Sequence, residues 1–174
     1  MKSLFIVAPA VAAVVGLIAC APHSAAVQTT TPSGAPFPVQ HTDAEWRKLL
    51  SPDAYEVLRQ AGTESPGSSS LLSEHRKGTF ECAACDQKLF ESGTKFESGT
   101  GWPSFWQPIK GAVIERTDRT LGMERTEVLC ARCGSHLGHV FDDGPKPTGL
   151  RYCMNGVALK FVPAASNHPP ATSP

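Results

Sequence analysis

The sequence predicts a mainly β domain, built from short antiparallel strands, opened by two short helices and stapled by a structural metal site. Three observations carry this reading. After Gly62, short β-prone runs alternate with clusters of Gly, Pro, Ser and Asp, a texture of hairpins rather than of βαβ units. Before Gly62, two stretches carry helix-start signals followed by apolar residues at helical spacing. Four cysteines fall into two CxxC pairs, Cys82/Cys85 and Cys130/Cys133, which suit one tetrahedral site tying the two halves of the sheet region together.

In chain order the first element is a leader. The 174 residues allow one ordinary domain. Lys2 supplies a charged start, and the stretch from Leu4 to Ala19 is apolar, too short for a comfortable membrane span and ending in small residues. Residues 1–19 therefore read as a signal peptide. Leu17-Ile18-Ala19-Cys20 resembles a bacterial lipobox. That resemblance implies cleavage before Cys20, lipid attachment at its sulfur and new amino group, and, with Ala21 next, a lean toward outer-membrane sorting. An ordinary signal peptide with an incidental cysteine is the alternative. Residues 20–42 hold no Asp, Glu, Lys or Arg and are dominated by Pro, Ser, Thr, Ala and Gln, so a flexible tether is expected. The domain is expected over residues 43–163, with a disordered Pro/Ala/Ser tail over 164–174.

Within the domain, Thr42-Asp43-Ala44-Glu45 fits a capping box, and Trp46, Leu49 and Leu50 follow at helical spacing. Ser51-Pro52 reads as an N-cap with proline at the first helical position. Tyr55 and Leu58 give this second helix an apolar stripe, and Gly62 is placed to end it. Strands are expected at Thr79–Cys82, Lys88–Phe90, Ala112–Arg116, Thr126–Cys130, Val140–Phe141, Tyr152–Asn155 and Ala158–Val162. The run from Gly99 to Trp106 is too rich in Gly and Pro to be a strand, so its aromatic residues must pack on something or bind something.

Charge excludes more than it suggests. Sixteen basic residues balance sixteen acidic ones, so the chain has no electrostatic footprint for nucleic acid.

A CxxC turn aims two sulfurs at one point, and two such turns complete a closed tetrahedral thiolate site that Zn²⁺ fills. Two disulfides are the alternative, since exported chains favour them. Cys153 has no such use. It remains as an unpaired thiol, a candidate nucleophile, in the run Arg151-Tyr152-Cys153-Met154-Asn155. In an extended strand, Arg151, Cys153 and Asn155 face one side, and a guanidinium beside a thiol favours its thiolate. His136 and His139 lie three apart amid glycines, in a loop or at a strand start. They are ordinary surface or core histidines, a metal site completed by Asp142 or Asp143, or acid–base partners of Cys153. The composition of the face around Cys153 supports the last.

Together these pieces resemble the methionine sulfoxide reductase B family. The carrying residues are the two CxxC pairs, Ser98-Gly99-Thr100-Gly101-Trp102-Pro103-Ser104-Phe105, His136-Leu137-Gly138-His139-Val140-Phe141, Asp143-Gly144-Pro145 and the run around Cys153, in the family's order from about Asp43 to Val162. The resemblance implies two antiparallel sheets, short N-terminal helices and one structural Zn²⁺ far from the active site. It implies reduction of the R epimer of methionine sulfoxide in peptides and proteins. By position, Cys153 matches the nucleophile, with His139, Asn155 and His136 supporting it. Trp102 matches the ring that receives the substrate methyl, Phe141 helps build that pocket, and Asp143 and Arg151 match the polar shell around histidine and thiolate. One departure stands out: Thr100 occupies the position where many members carry a resolving cysteine. The Cys153 sulfenic acid is therefore expected to be reduced by an external thiol, a thioredoxin-fold protein or a small molecule. The protein is expected to work as a monomer that touches the membrane only through its lipid, facing the periplasm. A zinc-ribbon-like binding module and a zinc hydrolase at His136 and His139 are the competing classes.

Overall fold

The computed structural model describes residues 30, 31 and 33–165. Most of the leader and tether, Cys20 included, and the tail beyond residue 165 lie outside the described residues.

Two short helices open the domain. Helix α1 spans Asp43–Leu49 and begins at the expected capping box: the Thr42 hydroxyl accepts from the Glu45 N–H, and the Glu45 carboxylate accepts from the Thr42 N–H at 2.7 Å. Trp46 is buried, while Leu49 points to solvent. Helix α2 spans Pro52–Gln60, with Ser51 as N-cap and Pro52 at the start. It ends just before Gly62. Ala61 takes the left-handed conformation at φ 55, and Gly62 only donates its N–H back to the Glu56 carbonyl.

Among the described residues nine strands follow, in two antiparallel sheets. The three-stranded sheet has the order β2 (Lys88–Glu91), β1 (Gly78–Cys82), β9 (Leu159–Pro163). The six-stranded sheet has the order β3 (Lys95–Phe96), β4 (Ser104–Phe105), β8 (Arg151–Met154), β7 (His136–Phe141), β6 (Arg125–Cys130), β5 (Val113–Asp118). Every pairing is antiparallel, as predicted. Two short strands were not expected. Ser104–Phe105 lies inside the run judged too rich in Gly and Pro, yet two residues suffice to pair with both β3 and β8.

The core lies between the sheets. Phe90 of β2 stacks on Phe105 of β4 at 4.3 Å between ring centroids, and Phe80 of β1 meets Phe105 edge-on at 4.9 Å. All three rings are fully buried, each worth roughly 2–3 kcal/mol of transfer free energy. Tyr152 and Met154 of β8 enter the same core, which leaves Arg151 and Cys153 on the opposite face of their strand.

The segment expected as free tether meets the domain before residue 42. Phe37 is buried against Gly134, and the Val39 N–H donates to the Arg132 carbonyl at 2.9 Å. An aromatic ring over a glycine with no side chain finds apolar surface that the polar composition around it concealed.

Candidate active site

Strand register assembles the site. Cys153 in β8 lies opposite His139 in β7 on one side and Ser104 in β4 on the other. His139 in turn lies opposite Glu127 in β6, and Glu127 opposite Arg116 in β5. One lateral row across five strands therefore reads Arg116, Glu127, His139, Cys153, Ser104. The neighbouring row contains Asp118, Arg125, Phe141 and Arg151 on the same face.

His136 joins that face through a β-bulge. Two histidines three apart in a regular strand point to opposite faces. Here Leu129 pairs with His136 while Val128 pairs with Gly138, so Leu137 is an extra residue and turns into the core. The two imidazoles then sit 5.4 Å apart, edge to face. Gly138 is required at the next position because a Cβ there would lie 2.1 Å from the Cys153 carbonyl oxygen.

Each histidine is held by its own carboxylate. His136 Nδ1 lies 2.7 Å from Glu127 Oε1, and Arg116 pairs with the other oxygen of Glu127. His139 Nε2 lies 2.9 Å from Asp118 Oδ2, which also accepts from Arg125 Nη2 at 2.6 Å. Burial pushes the Asp118 carboxyl up, but hydrogen bonds from Thr120, His139 and Arg125 outweigh it and hold the group well below the usual range. Burial also pushes His139 down, against the pull of Asp118 and with help from Arg125 and His136. A neutral His139 donates Nε2–H to Asp118 and leaves Nδ1 as a proton acceptor.

Asp143 serves a different group. Its carboxylate takes Arg151 Nε and Nη2 at 2.8 Å each, and the guanidinium lies 4.5 Å from the centroid of the Phe141 ring. Asp143 first, with the Cys153 sulfur among the further causes, raises the Arg151 pKa against the opposing effect of burial. Asn155 follows the end of β8. It is buried, its Oδ1 accepts from the Glu64 N–H at 3.0 Å, and its Nδ2 donates to the Leu137 carbonyl at 3.1 Å.

A small cavity of about 150 Å³ opens beside Cys153, lined by Trp102, Phe141, His139, Asn155, Arg125 and Thr63 among others. Trp102 presents its ring there while its Nε1–H donates to the Glu64 carbonyl at 3.2 Å. The aromatic run thus divides its work: Phe105 packs in the core and Trp102 lines the cavity. Thr100 Oγ1 lies 3.8 Å from Cys153 Sγ, so the residue at the resolving position is in direct reach of the thiol.

Of the residues the sequence singles out, Cys153, His136, His139, Phe141 and Arg151 share this sheet face, Asp143 reaches it by pairing with Arg151, and Trp102 and Asn155 reach the cavity from a loop and from the turn after β8. The sequence reading missed Asp118, Arg125, Glu127 and Glu64. The acids carry no local motif. Only the register of β5 against β6 and of β6 against β7, which a single sequence does not print, brings the first three to the histidines.

The four paired cysteines converge elsewhere. Cys82 closes β1 and Cys130 closes β6, so the two turns hang from different sheets. Their ligand atoms lie within 4.8 Å of one another, with Cys82 to Cys133 at 3.8 Å and Cys85 to Cys130 at 3.6 Å. Zn–S bonds of about 2.3 Å set tetrahedral sulfur separations of about 3.8 Å, whereas a disulfide needs about 2.05 Å. The sulfurs therefore fit Zn²⁺ and are free thiols in the structure. Arg59 of α2, itself buried, donates to the Cys133 carbonyl at 3.2 Å and braces the second turn. None of these cysteines lines the cavity beside Cys153. Among the described residues no other group of three or more His, Cys, Asp or Glu side chains converges, and His136 and His139 are each paired to a carboxylate of their own.

Comparison with known proteins agrees with this arrangement. The SelR domain model matches residues 50–163. The peptide methionine sulfoxide reductase MsrB of Leptospira interrogans is 55% identical over 126 residues, covering 72% of this chain and 96% of that protein. The proteins of the same name from Thiobacillus denitrificans and Methanosarcina barkeri are 57% and 56% identical over 123 and 124 residues, covering 70% and 71% of this chain and 93% and 87% of theirs. A family model that matches residues 50–163 and relatives more than half identical over 70% or more of the chain lead to one statement: the chain belongs to the SelR-domain family of MsrB-type peptide methionine sulfoxide reductases.

Proposed function

We propose that the protein reduces the R epimer of methionine sulfoxide in peptides and proteins to methionine, with Cys153 as nucleophile. The observation that carries this is the register that sets Cys153 beside His139 at the mouth of the Trp102–Phe141 cavity. A sulfoxide becomes a good electrophile only when its oxygen is protonated. His139 Nδ1 takes the thiol proton of Cys153, Asp118 steadies the imidazolium, and that proton passes to the sulfoxide oxygen. The thiolate attacks sulfur, the S–O oxygen ends on Cys153, and methionine leaves. Cys153 is oxidised to a sulfenic acid as the sulfoxide is reduced. The soft S-methyl group packs on the Trp102 indole.

An external thiol then completes the cycle. It attacks the sulfenic sulfur, water leaves, and a second thiol releases the mixed disulfide. The support for this is Thr100, whose hydroxyl cannot resolve the intermediate although it sits 3.8 Å from the sulfur. Among the described residues the remaining cysteines are the four clustered ones, which would hold one structural Zn²⁺. The leader and Cys20 support a lipid-anchored protein on the outer membrane facing the periplasm. We further propose that it acts as a monomer and that the external thiol is a thioredoxin-fold protein or a small molecule.

The test is turnover of peptides carrying R- or S-methionine sulfoxide with dithiothreitol, for the wild type and Cys153→Ser. The wild type should reduce the R peptide alone, and Cys153→Ser should lose that activity while keeping its fold and zinc. Absence of R-epimer turnover by the wild type would overturn the reading.

A further inference from the structure

Glu64 lies in the irregular segment after α2, and no sequence motif singles it out. Four hydrogen bonds nevertheless meet on it. Its N–H donates to Asn155 Oδ1 at 3.0 Å, and its carbonyl accepts from Trp102 Nε1 at 3.2 Å. Its carboxylate accepts from the backbone N–H groups of Gly156 at 2.5 Å and Val157 at 2.9 Å. These partners belong to two separate pieces of chain: the glycine-rich loop that carries Trp102, and the turn that follows Cys153.

The surroundings fix the segment closely. Gly67 N–H donates to the Gly101 carbonyl at 2.8 Å, and a Cβ on Gly101 would lie 2.8 Å from Pro66. A Cβ on Gly156 would lie 1.9 Å from Ser69 Oγ, so the turn after Cys153 admits the strap only because residue 156 is glycine. Thr63, next to Glu64, lines the cavity beside Cys153. The strap therefore spans the cavity's rim from the indole to the end of β8.

We infer that Glu64 is a positioning residue: its carboxylate, pinned to Gly156 and Val157, holds its own backbone where that backbone fixes the Trp102 indole and Asn155 across the cavity. This rests on the reading of Cys153 as nucleophile and Trp102 as the ring that receives the substrate methyl. Two backbone N–H groups on one carboxylate tie the side chain at both oxygens, and hydrogen bonds to a carboxylate are stronger than those between neutral groups. Once they are lost the strap is free to shift, the indole N–H loses its acceptor, and the ring that seats the methyl can turn. Small misplacements of a substrate-positioning group cost up to about a hundredfold in rate.

The experiment compares Glu64→Gln and Glu64→Ala with the wild type, each alone and combined with Trp102→Phe, in the full purified protein. The readouts are kcat and KM on an R-methionine sulfoxide peptide with dithiothreitol, intrinsic tryptophan fluorescence, and the rate of Cys153 alkylation by iodoacetamide. Each Glu64 substitution should lower kcat/KM about tenfold to a hundredfold, mainly through KM. In the Trp102→Phe background the same substitution should cost at least about threefold less than in the wild type, because part of its effect passes through the indole and the rest through Asn155. Emission assigned to Trp102 by difference should shift to the red, while alkylation stays within about twofold. Glu64→Gln keeps the side-chain volume and carries the test if the alanine variant does not fold. Activity within about threefold of wild type, or losses that multiply independently in the Trp102→Phe background, would overturn the inference. The fluorescence shift needs no turnover, so an unchanged Trp102 spectrum condemns the role of Glu64, whereas a shifted spectrum in a protein inactive on the R epimer condemns the assigned activity instead.

Discussion

Asp118 and Asp143 divide a task that the sequence assigned to Asp143 and Arg151 jointly. Asp143 holds Arg151, and Asp118 holds His139. The motif residues were legible because Asp143 and His139 stand close together in the chain. Asp118 was not, because its link to His139 exists only through strand pairing. Asp118→Asn keeps the shape of the side chain but removes the charge that favours the His139 imidazolium. Activity should fall roughly tenfold to a hundredfold, at or below the lower end of the hundredfold to ten-thousandfold range for acid–base groups, because Asp118 acts through His139 and does not itself move the proton. The acid limb of the pH–rate profile, where neutral His139 becomes protonated, should move to lower pH, because Asp118 is a group that raises the pKa of His139. The linkage to stability has a definite sign. His139 is depressed in the folded protein, so the unfolded chain takes up the proton first, and stability falls as pH drops from the ordinary histidine value through the folded one. Asp118 adds stability above the ordinary carboxylate value that is lost only as pH falls further, through its own depressed value. An unchanged rate and pH profile in Asp118→Asn would contradict its role.

At the scale of elements, caps and alternation were readable and irregularities were not. Thr42 and Ser51 start their helices where the residues indicate, since a cap is a local interaction between side chain and nearby backbone. Helix α2 ends just before Gly62, but the left-handed position that the glycine was expected to supply is taken by Ala61. Strand β7 was read as Val140–Phe141 alone, yet it begins at His136. The bulge at Leu137 hid its period, because an extra residue breaks the alternation that identifies a strand. That same bulge is what brings His136 and His139 to one face. In β8, alternation places Arg151 and Cys153 together as read, whereas Asn155 lies past the strand's end and reaches the cavity from the following turn.

At the scale of the molecule, the described residues form two sheets joined by an aromatic core and by four cysteines, with His139 and Cys153 on the face of the larger sheet that points away from that core. Cys82 and Cys85 come from the smaller sheet's β1 region, Cys130 and Cys133 from the larger sheet's β6 region. A structural Zn²⁺ contributes folding free energy on the order of 10 kcal/mol, comparable with the roughly 5–15 kcal/mol net stability of a domain. Stripping the metal with a strong chelator should therefore unfold the protein, seen as loss of far-ultraviolet circular dichroism in step with zinc release. A metal-free protein with a native spectrum and melting point would contradict that role. The central claim concerns one atom, the sulfur of Cys153, and is tested most directly by mass spectrometry after a single turnover of an R-methionine sulfoxide peptide without reductant. The account predicts one equivalent of methionine peptide and one oxygen atom on Cys153, trapped as a sulfenic acid, with no new disulfide. An unmodified Cys153 alongside reduced peptide, or a disulfide between Cys153 and one of the clustered cysteines, would contradict it.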